Sequence, residues 1–303
     1  MTDITLGIII AILGLVLGSF AGASVWRLRA RQLVEDKENG EKVLAKELKM
    51  LRPLTKSTLT NDRSRCLHCG HTLAWYDLIP IVSWLSMGGK CRYCKKKIGW
   101  FEPLIEIGMA ALLVLLYVMW PVASPGGTLV ELILWIVVMV MLVILFVYDL
   151  KWFLLPNVIV FPLLAFSVVI AIVHVLSMTD TMGAFLSLLG SLAILGGLYA
   201  ALYYFSYFRY GEEKTWVGFG DVKLGVALGL LLGDWKLAFL AVFLANLIGV
   251  IAVLPSLLSR KLSMKAHIPF GPLLILGFLI AFFFGSYVLD WYMHLMGLSI
   301  ALS

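Results

Sequence analysis

The feature that most restricts this chain is a series of apolar stretches, most of them as long as a bilayer is thick. A helix needs about 20 mostly apolar residues to cross the hydrocarbon. Eight candidates are present, at 4–25, 103–120, 129–148, 157–176, 183–205, 222–233, 237–258 and 270–289. Composition agrees. Hydrophobic residues make up 61% of the chain and charged residues 14%, against about 45–50% and 25% in soluble domains. A soluble globular enzyme, a disordered regulator and a secreted disulfide scaffold are thereby excluded. The expected fold is an all-α polytopic membrane protein with about eight transmembrane helices. The sixth stretch is short, so it reads as a tilted or half-buried helix, or as a re-entrant segment sheltered by its neighbours. The first has no A-x-A-like cleavage site and reads as a retained anchor.

The basic residues set the orientation. Of 24 Lys and Arg, sixteen lie within 26–100, and Lys151, Arg209, Lys214, Arg260, Lys261 and Lys265 fall in loops on the same side of an eight-span arrangement. Lys223 sits at the mouth of the sixth span, and only Lys236 falls on the other face. The positive-inside rule places these loops in the cytoplasm and both termini outside. The net charge of +6 is therefore a topology signal, and no nucleic-acid partner is expected.

Three regions follow: a first transmembrane helix at 1–25, a cytoplasmic loop at 26–102, and a transmembrane core at 103–303. Within the loop, 31–62 carries mixed charge, with Leu44, Leu48 and Leu51 at helical spacing. It reads as an exposed amphipathic helix, or one skimming the membrane surface, followed by a polar linker at 55–62. Gly14, Gly18 and Gly22 recur on one face of the first span, a pattern suited to close helix packing.

All four cysteines fall in 63–100, as Cys66-x2-Cys69 and Cys91-x2-Cys94 separated by twenty-one residues. Two such knuckles offer four thiolates to one tetrahedral ion, the donor set of structural zinc, and leave no open position for a substrate water. A reducing cytosol disfavours disulfides. His68 and His71 flank the first knuckle and read as neighbours of the site, although either could replace a thiolate. Between the knuckles, Trp75-Tyr76-Asp77-Leu78-Ile79-Pro80 and Ser83-Trp84-Leu85 are aromatic and apolar for a cytosolic loop, which suits a module resting on the membrane interface.

Acids against a span carry the chemistry. An ionisable residue at a helix centre costs about 2.5–3.5 kcal/mol on insertion scales. Asp149 ends the third span and Asp221 opens the sixth, within Gly218-Phe219-Gly220-Asp221-Val222-Lys223-Leu224. In the eight-span topology both emerge at the cytoplasmic face, at one depth. Paired carboxylates share a proton, so one can deprotonate water while the other polarises a carbonyl. Asp221 at a helix N-terminus is favoured as the anion, and Asp149 at a helix C-terminus as the proton carrier. Gly218 and Gly220 permit close approach of a substrate strand. Singly, each Asp is equally readable as an ordinary helix-end residue. Glu106, early in the second span, reads as a buried polar contact or a supporting acid, and Asp77 as a turn residue or a supporting acid. Asp3, Glu131, Asp180, Asp234 and Asp290 lie toward the outer face. His267 precedes a rigid, proline-rich entry to the last span and takes no catalytic role.

In order along the chain stand Gly18-Ser19-Phe20, Arg27-Leu28, Arg65-Cys66-x2-Cys69, Trp75 to Pro80, Ser83-Trp84-Leu85 and Cys91-Arg92-x-Cys94. They continue with Pro103-Leu104-x-Glu106, Asp149 with Leu155-Pro156-Asn157, Gly218-x-Gly220-Asp221-x-Lys223-Leu224 and Ile268-Pro269-Phe270-Gly271-Pro272. This ordered set resembles the bacterial prepilin peptidases, or type IV leader peptidases, membrane aspartic proteases of the Gly-x-Gly-Asp type. The resemblance implies that Asp149 and Asp221 are catalytic, with Gly218, Gly220 and Lys223 in the active-site loop, and that the four cysteines bind zinc. It implies prepilin and pseudopilin substrates, cut after a glycine between a basic leader and a hydrophobic helix at the cytoplasmic face of the inner membrane. It also implies methylation of the new N-terminus with S-adenosylmethionine. The chain departs from the pattern in the longer, more charged 31–62 and in Arg27-Leu28-Arg29, which lacks the proline often found after Arg-Leu. No glycine-rich nucleotide loop occurs in 26–100, so the sequence gives the methyl donor no place. The competing readings are a proton-coupled transporter, with inverted repeats and acids near the midplane, and a non-catalytic zinc-containing membrane scaffold.

Overall fold

The computed structural model describes residues 2–55, 63–123, 128–211, 215–258 and 269–296. Lys214, Arg260, Lys261, Lys265, His267, Ile268 and most of the linker 55–62 lie outside the described residues. The described chain is helical, with no strands beyond two isolated bridges, and it divides into two compact units, Met1–Val118 and Met119–Ser303. Among the described residues, seven helices are long and apolar enough to cross a membrane.

The first unit is built on α1 (Thr2–Glu38) and α4 (Phe101–Ala123), with α2 (Ala45–Leu51), α3 (Val82–Ser86) and the two cysteine knuckles between them. Helices in lipid gain nothing by burying apolar surface, so close approach through small residues holds them together. Gly14 and Gly18 of α1 supply it. A Cβ on either would come within 2.5 Å of Ala110 Cα or 2.6 Å of Glu106 Cα. Gly22 is less tightly packed, its nearest neighbour being Ile105 Cδ1 at 3.6 Å.

Two boundaries differ from those expected. The first helix does not end at residue 25 but runs to Glu38, because 26–38 contains no Gly or Pro to stop it. Its extension makes a small core of its own, with Ala30 and Leu33 buried against Leu51 and Leu54, and Arg29 forms a bidentate pair with Glu47 at 3.1 and 2.9 Å. The charged region 31–62 is therefore no single amphipathic helix. It is the end of α1, a turn through Gly40 at φ 81°, and α2 folded back on α1. The second span, α4, also packs within the first unit, so the division falls after Val118 and not at the expected residue 103.

The second unit is a bundle of α5 (Leu129–Trp152), α6 (Asn157–Ser177), α7 (Thr181–Leu192), α8 (Leu198–Tyr210), α9 (Phe219–Leu232), α10 (Trp235–Leu258) and α11 (Phe270–Leu295). A π-turn at Ala193–Gly197 joins α7 to α8, making one continuous 30-residue apolar helix. At 14 residues, α9 is only about 21 Å long. It lies alongside α6, running in the same direction. Gly220 at its start packs on Leu155 just ahead of α6, and Gly233 just past its end packs on His174 in the last turn of α6. Leu224, Ala227 and Leu228 are fully buried, so neighbouring helices and not lipid surround this short element. α9 lies antiparallel to α7 and α8: Gly229 meets Ser191, whose Oγ donates to the Gly229 carbonyl at 2.8 Å, and Gly225 meets the Leu195 carbonyl.

Candidate functional site

The start of α9 gathers the glycine-rich motif. Gly218 is the extended N-cap, and Asp221, three residues on, accepts a hydrogen bond from the Gly218 N–H through Oδ2 at 3.1 Å. Gly-x-Gly-Asp is thus half of a capping box, with the carboxylate where orphan helix N–H groups and the dipole favour an anion. A Cβ on Gly220 would stand 3.1 Å from Leu155 Cβ, so the missing side chain lets the α5–α6 connection lie against the motif. Lys223 Nζ donates to Asn157 Oδ1 at 2.8 Å and sits 4.9 Å from the centre of the Phe219 ring. Its charge fastens α9 to α6.

Asp149 lies in the last turn of α5 and is 5% exposed. The helix closes behind it with Phe153 in the left-handed region at φ 56°, its N–H bonded to the Asp149 carbonyl. The first turn of α11 comes in on the carboxylate: a Cβ on Gly271 would stand 2.6 Å from Asp149 Oδ2. Asp149 and Asp221 are close enough to interact electrostatically. Asp149 Oδ2 is buried without a hydrogen-bond partner among the described residues. So Asp149, Gly218, Gly220, Asp221 and Lys223 come together at one end of the second unit. Two further participants, Gly271 and Tyr199, received no role from the sequence. The Pro269-Phe270-Gly271-Pro272 run was visible there, but nothing local signals that its glycine meets Asp149. Tyr199 is one aromatic among many in α8 and gives no sequence signal.

In the first unit the four cysteine sulfurs lie within 4.8 Å of one another, with Cys66 Sγ and Cys94 Sγ 3.9 Å apart. Four thiolates around one zinc stand roughly 3.8 Å apart, given a Zn–S bond of about 2.3 Å. The group can hold a metal ion. The knuckles repeat one design. Cys66 N–H bonds to the His71 carbonyl and Cys91 N–H to the Lys96 carbonyl, and each loop turns on a positive φ just after its second cysteine, at Gly70 (72°) and Lys95 (57°). Burial pushes the Cys66 thiol up to about 12 although the amides of Cys69 and His68 point at its sulfur. Burial also raises Cys91, but the amides of Cys94 and Tyr93 and the neighbouring thiols bring it down to about 7. Amides directed at sulfur suit thiolates that ligate a cation. The His71 ring lies on Tyr93 at 3.7 Å between centroids.

Glu106 and Asp77 belong to the first unit, and their hydrogen bonds are made within it. Glu106 is 6% exposed, and its Oε2 accepts from the Ile81 N–H at 2.8 Å. Ile81 has φ 59°, a costly conformation for a β-branched residue, so Glu106 steadies a strained turn; Ser19 of α1 also bonds to it. Asp77 accepts from Arg92 Nε (2.8 Å), Tyr93 Oη (2.9 Å) and the Ala74 N–H (3.2 Å). Burial would raise its carboxyl, but these donors outweigh it and hold it below the usual range. Beside these groups lies a cavity of about 220 Å³ whose walls include Trp26, Arg27, Trp84, Glu106 and the two buried cysteines.

Two family models cover the chain in succession: the Bacterial Peptidase A24 N-terminal domain over residues 12–120 and the Type IV leader peptidase family over residues 136–254. A Prepilin leader peptidase/N-methyltransferase of Pseudomonas aeruginosa is 32% identical over 94% of this chain and 93% of its own length. Proteins of the same name from Aeromonas hydrophila (34% identical; 76% and 74% covered) and Vibrio cholerae (28%; 91% and 96%) are also similar. No solved structure gives a significant match. With both halves matched in order and a relative at this identity along almost its whole length, the chain belongs to the type IV leader peptidase family.

Proposed function

We propose that this chain is a membrane-embedded aspartic endopeptidase that removes the leader of prepilins and pseudopilins, with Asp149 and Asp221 as its catalytic pair. One observation carries the assignment: two acids 72 positions apart in sequence share one end of the bundle, within electrostatic reach of each other. Asp221, held by the Gly218 N–H at a helix N-terminus, is the resting base. It takes a proton from water as the water oxygen attacks the scissile carbonyl carbon. Asp149 gives its proton to the carbonyl oxygen, forming a tetrahedral diol. Collapse breaks the C–N bond as Asp221 gives its new proton to the leaving nitrogen, and Asp149 takes back the hydroxyl proton as the carbonyl re-forms, which restores the shared-proton state of the pair. Gly218 and Gly220 leave room for the substrate backbone, and Lys223 fixes the loop.

A substrate with a basic leader and a hydrophobic helix has its cut site at the membrane face, where these acids lie. The cytoplasmic face of a bacterial inner membrane suits them, because Lys151, Arg209 and Lys223 stand in the helix ends around the pair and Lys236 opens α10 at the opposite end. Helix-end acids also disfavour the transporter reading, whose coupling acids belong near the midplane.

In the first unit, Cys66, Cys69, Cys91 and Cys94 would hold a structural zinc, whose bonds would fold the two knuckles into one body. S-adenosylmethionine, when bound, supplies the methyl group transferred to the new N-terminal amine. The cavity beside the knuckles suits it: Trp26 and Trp84 complement a sulfonium cation and Arg27 a carboxylate. Incubating the purified protein with a prepilin-like peptide in detergent tests the whole reading. Mass spectrometry should show the peptide shortened at one bond, and heavier by one methyl group only when S-adenosylmethionine is added. An uncut peptide would refute the peptidase assignment. Titration with S-adenosylmethionine in the absence of peptide tests the cavity without turnover: Trp84→Ala should weaken binding about tenfold, and unchanged binding would move the donor elsewhere.

A further inference from the structure

We propose that Tyr199 is a third catalytic group of the carboxylate site, donating a hydrogen bond from its phenol to the oxyanion formed at the scissile carbonyl. The inference rests on Asp149 and Asp221 being the catalytic pair. Antiparallel packing of α8 on α9 sets the position. Ser191 meets Gly229 and Leu195 meets Gly225, and the same register carries Tyr199 to the level of Asp221. The π-turn at Ala193–Gly197 lies just ahead of Tyr199. Such turns rotate the residues that follow and frequently occur at functional sites.

The ring is held on two sides. Its centroid is 5.2 Å from that of Phe270, the residue before the glycine that meets Asp149. Its Cδ2 would stand 3.2 Å from a Cβ on Gly225. Tyr199 is 3% exposed, lies within electrostatic reach of Asp221, and has no hydrogen-bond partner for its hydroxyl among the described residues. A phenol is normally paired when buried, because leaving its O–H dry and unpaired is disfavoured. Asp149 Oδ2, at the same end of the bundle, also has no hydrogen-bond partner among the described residues. A phenol donor and the acid that carries the shared proton, both left waiting at one site, match a reaction in which a carbonyl oxygen gains charge and then a proton. A neutral phenol can stabilise that charge without adding a cation beside the acids.

Tyr199→Phe removes only the oxygen. For cleavage of a prepilin-like peptide we expect kcat to fall about 10- to 100-fold with KM within twofold of wild type. A tetrahedral transition-state analogue should lose affinity by a similar factor, whereas a non-cleaved substrate analogue should bind unchanged. A merely structural phenol would move neither of these apart from the other. Equal thermal melting of the two proteins is the control for folding. If kcat of Tyr199→Phe stays within twofold of wild type while Asp149→Asn and Asp221→Asn are inactive, the proposal for Tyr199 is wrong and the pair stands. If the Asn variants retain turnover, the underlying reading fails, and Tyr199 with it.

Discussion

The two units place their acids in different company. In the first, Glu106 is held by the Ile81 amide, Glu47 by Arg29, and Asp77 by three donors. In the second, Asp149 Oδ2 and the Tyr199 hydroxyl are buried with no hydrogen-bond partner among the described residues. Satisfied polar groups specify a structure, and dry unsatisfied ones cost stability unless a ligand completes them. The contrast sets Glu106, Glu47 and Asp77, which hold the first unit together, against Asp149 and Tyr199 in the proposed site.

Breaking the metal group should have the largest consequence, because structural zinc contributes on the order of 10 kcal/mol to folding a small module. Purified wild-type protein should carry about one zinc per chain. The double variant Cys66→Ser, Cys69→Ser should carry almost none, and protease should cut between the knuckles. Metal content unchanged by that variant would show that the thiols are not the ligands. Gly271→Ala attacks the second unit in a different way. Its new Cβ would crowd Asp149 Oδ2 at 2.6 Å, so we expect cleavage to drop at least about tenfold, with little change in melting temperature. Wild-type turnover would mean that the close approach of α11 is not needed.

Much of this layout was legible in the sequence, for identifiable reasons. Span length follows from the thickness of hydrocarbon, and thiol spacing from the coordination sphere of one ion. The acids at the ends of α5 and α9 were legible because charge in a span is costly enough to stand out. The end of the first helix was less so, since 26–38 looks like a charged loop until Ala30 and Leu33 find Leu51 and Leu54. Gly271 and Tyr199 could not be read at all, because their roles depend on how helices distant in sequence pack. Glu106 was ambiguous for the same reason; only its bond to the strained Ile81 shows what it does.

Two smaller effects sharpen the contrast from the side of the occupied acids. Glu106→Leu strands the Ile81 N–H, and we expect thermal or denaturant unfolding to show a loss of roughly 1–3 kcal/mol. No loss would mean that the turn finds another partner. Asp77→Asn keeps the shape and removes the charge of the Arg92 clamp, for a loss of about 1 kcal/mol. The pH dependence has a definite sign. The folded Asp77 carboxyl is held below its unfolded value, so its contribution is present above about pH 4 and disappears as the pH falls through the lowered value. An Asp77→Asn penalty that grew on acidification would contradict the clamp.

The most direct test is the turnover of Asp149→Asn and Asp221→Asn, measured singly on a prepilin-like peptide with folding verified by unchanged melting. We expect each substitution to lower kcat by about 10³-fold or more, because neither acid can share a proton with an amide. Either variant retaining near-normal turnover would show that hydrolysis does not pass through this pair.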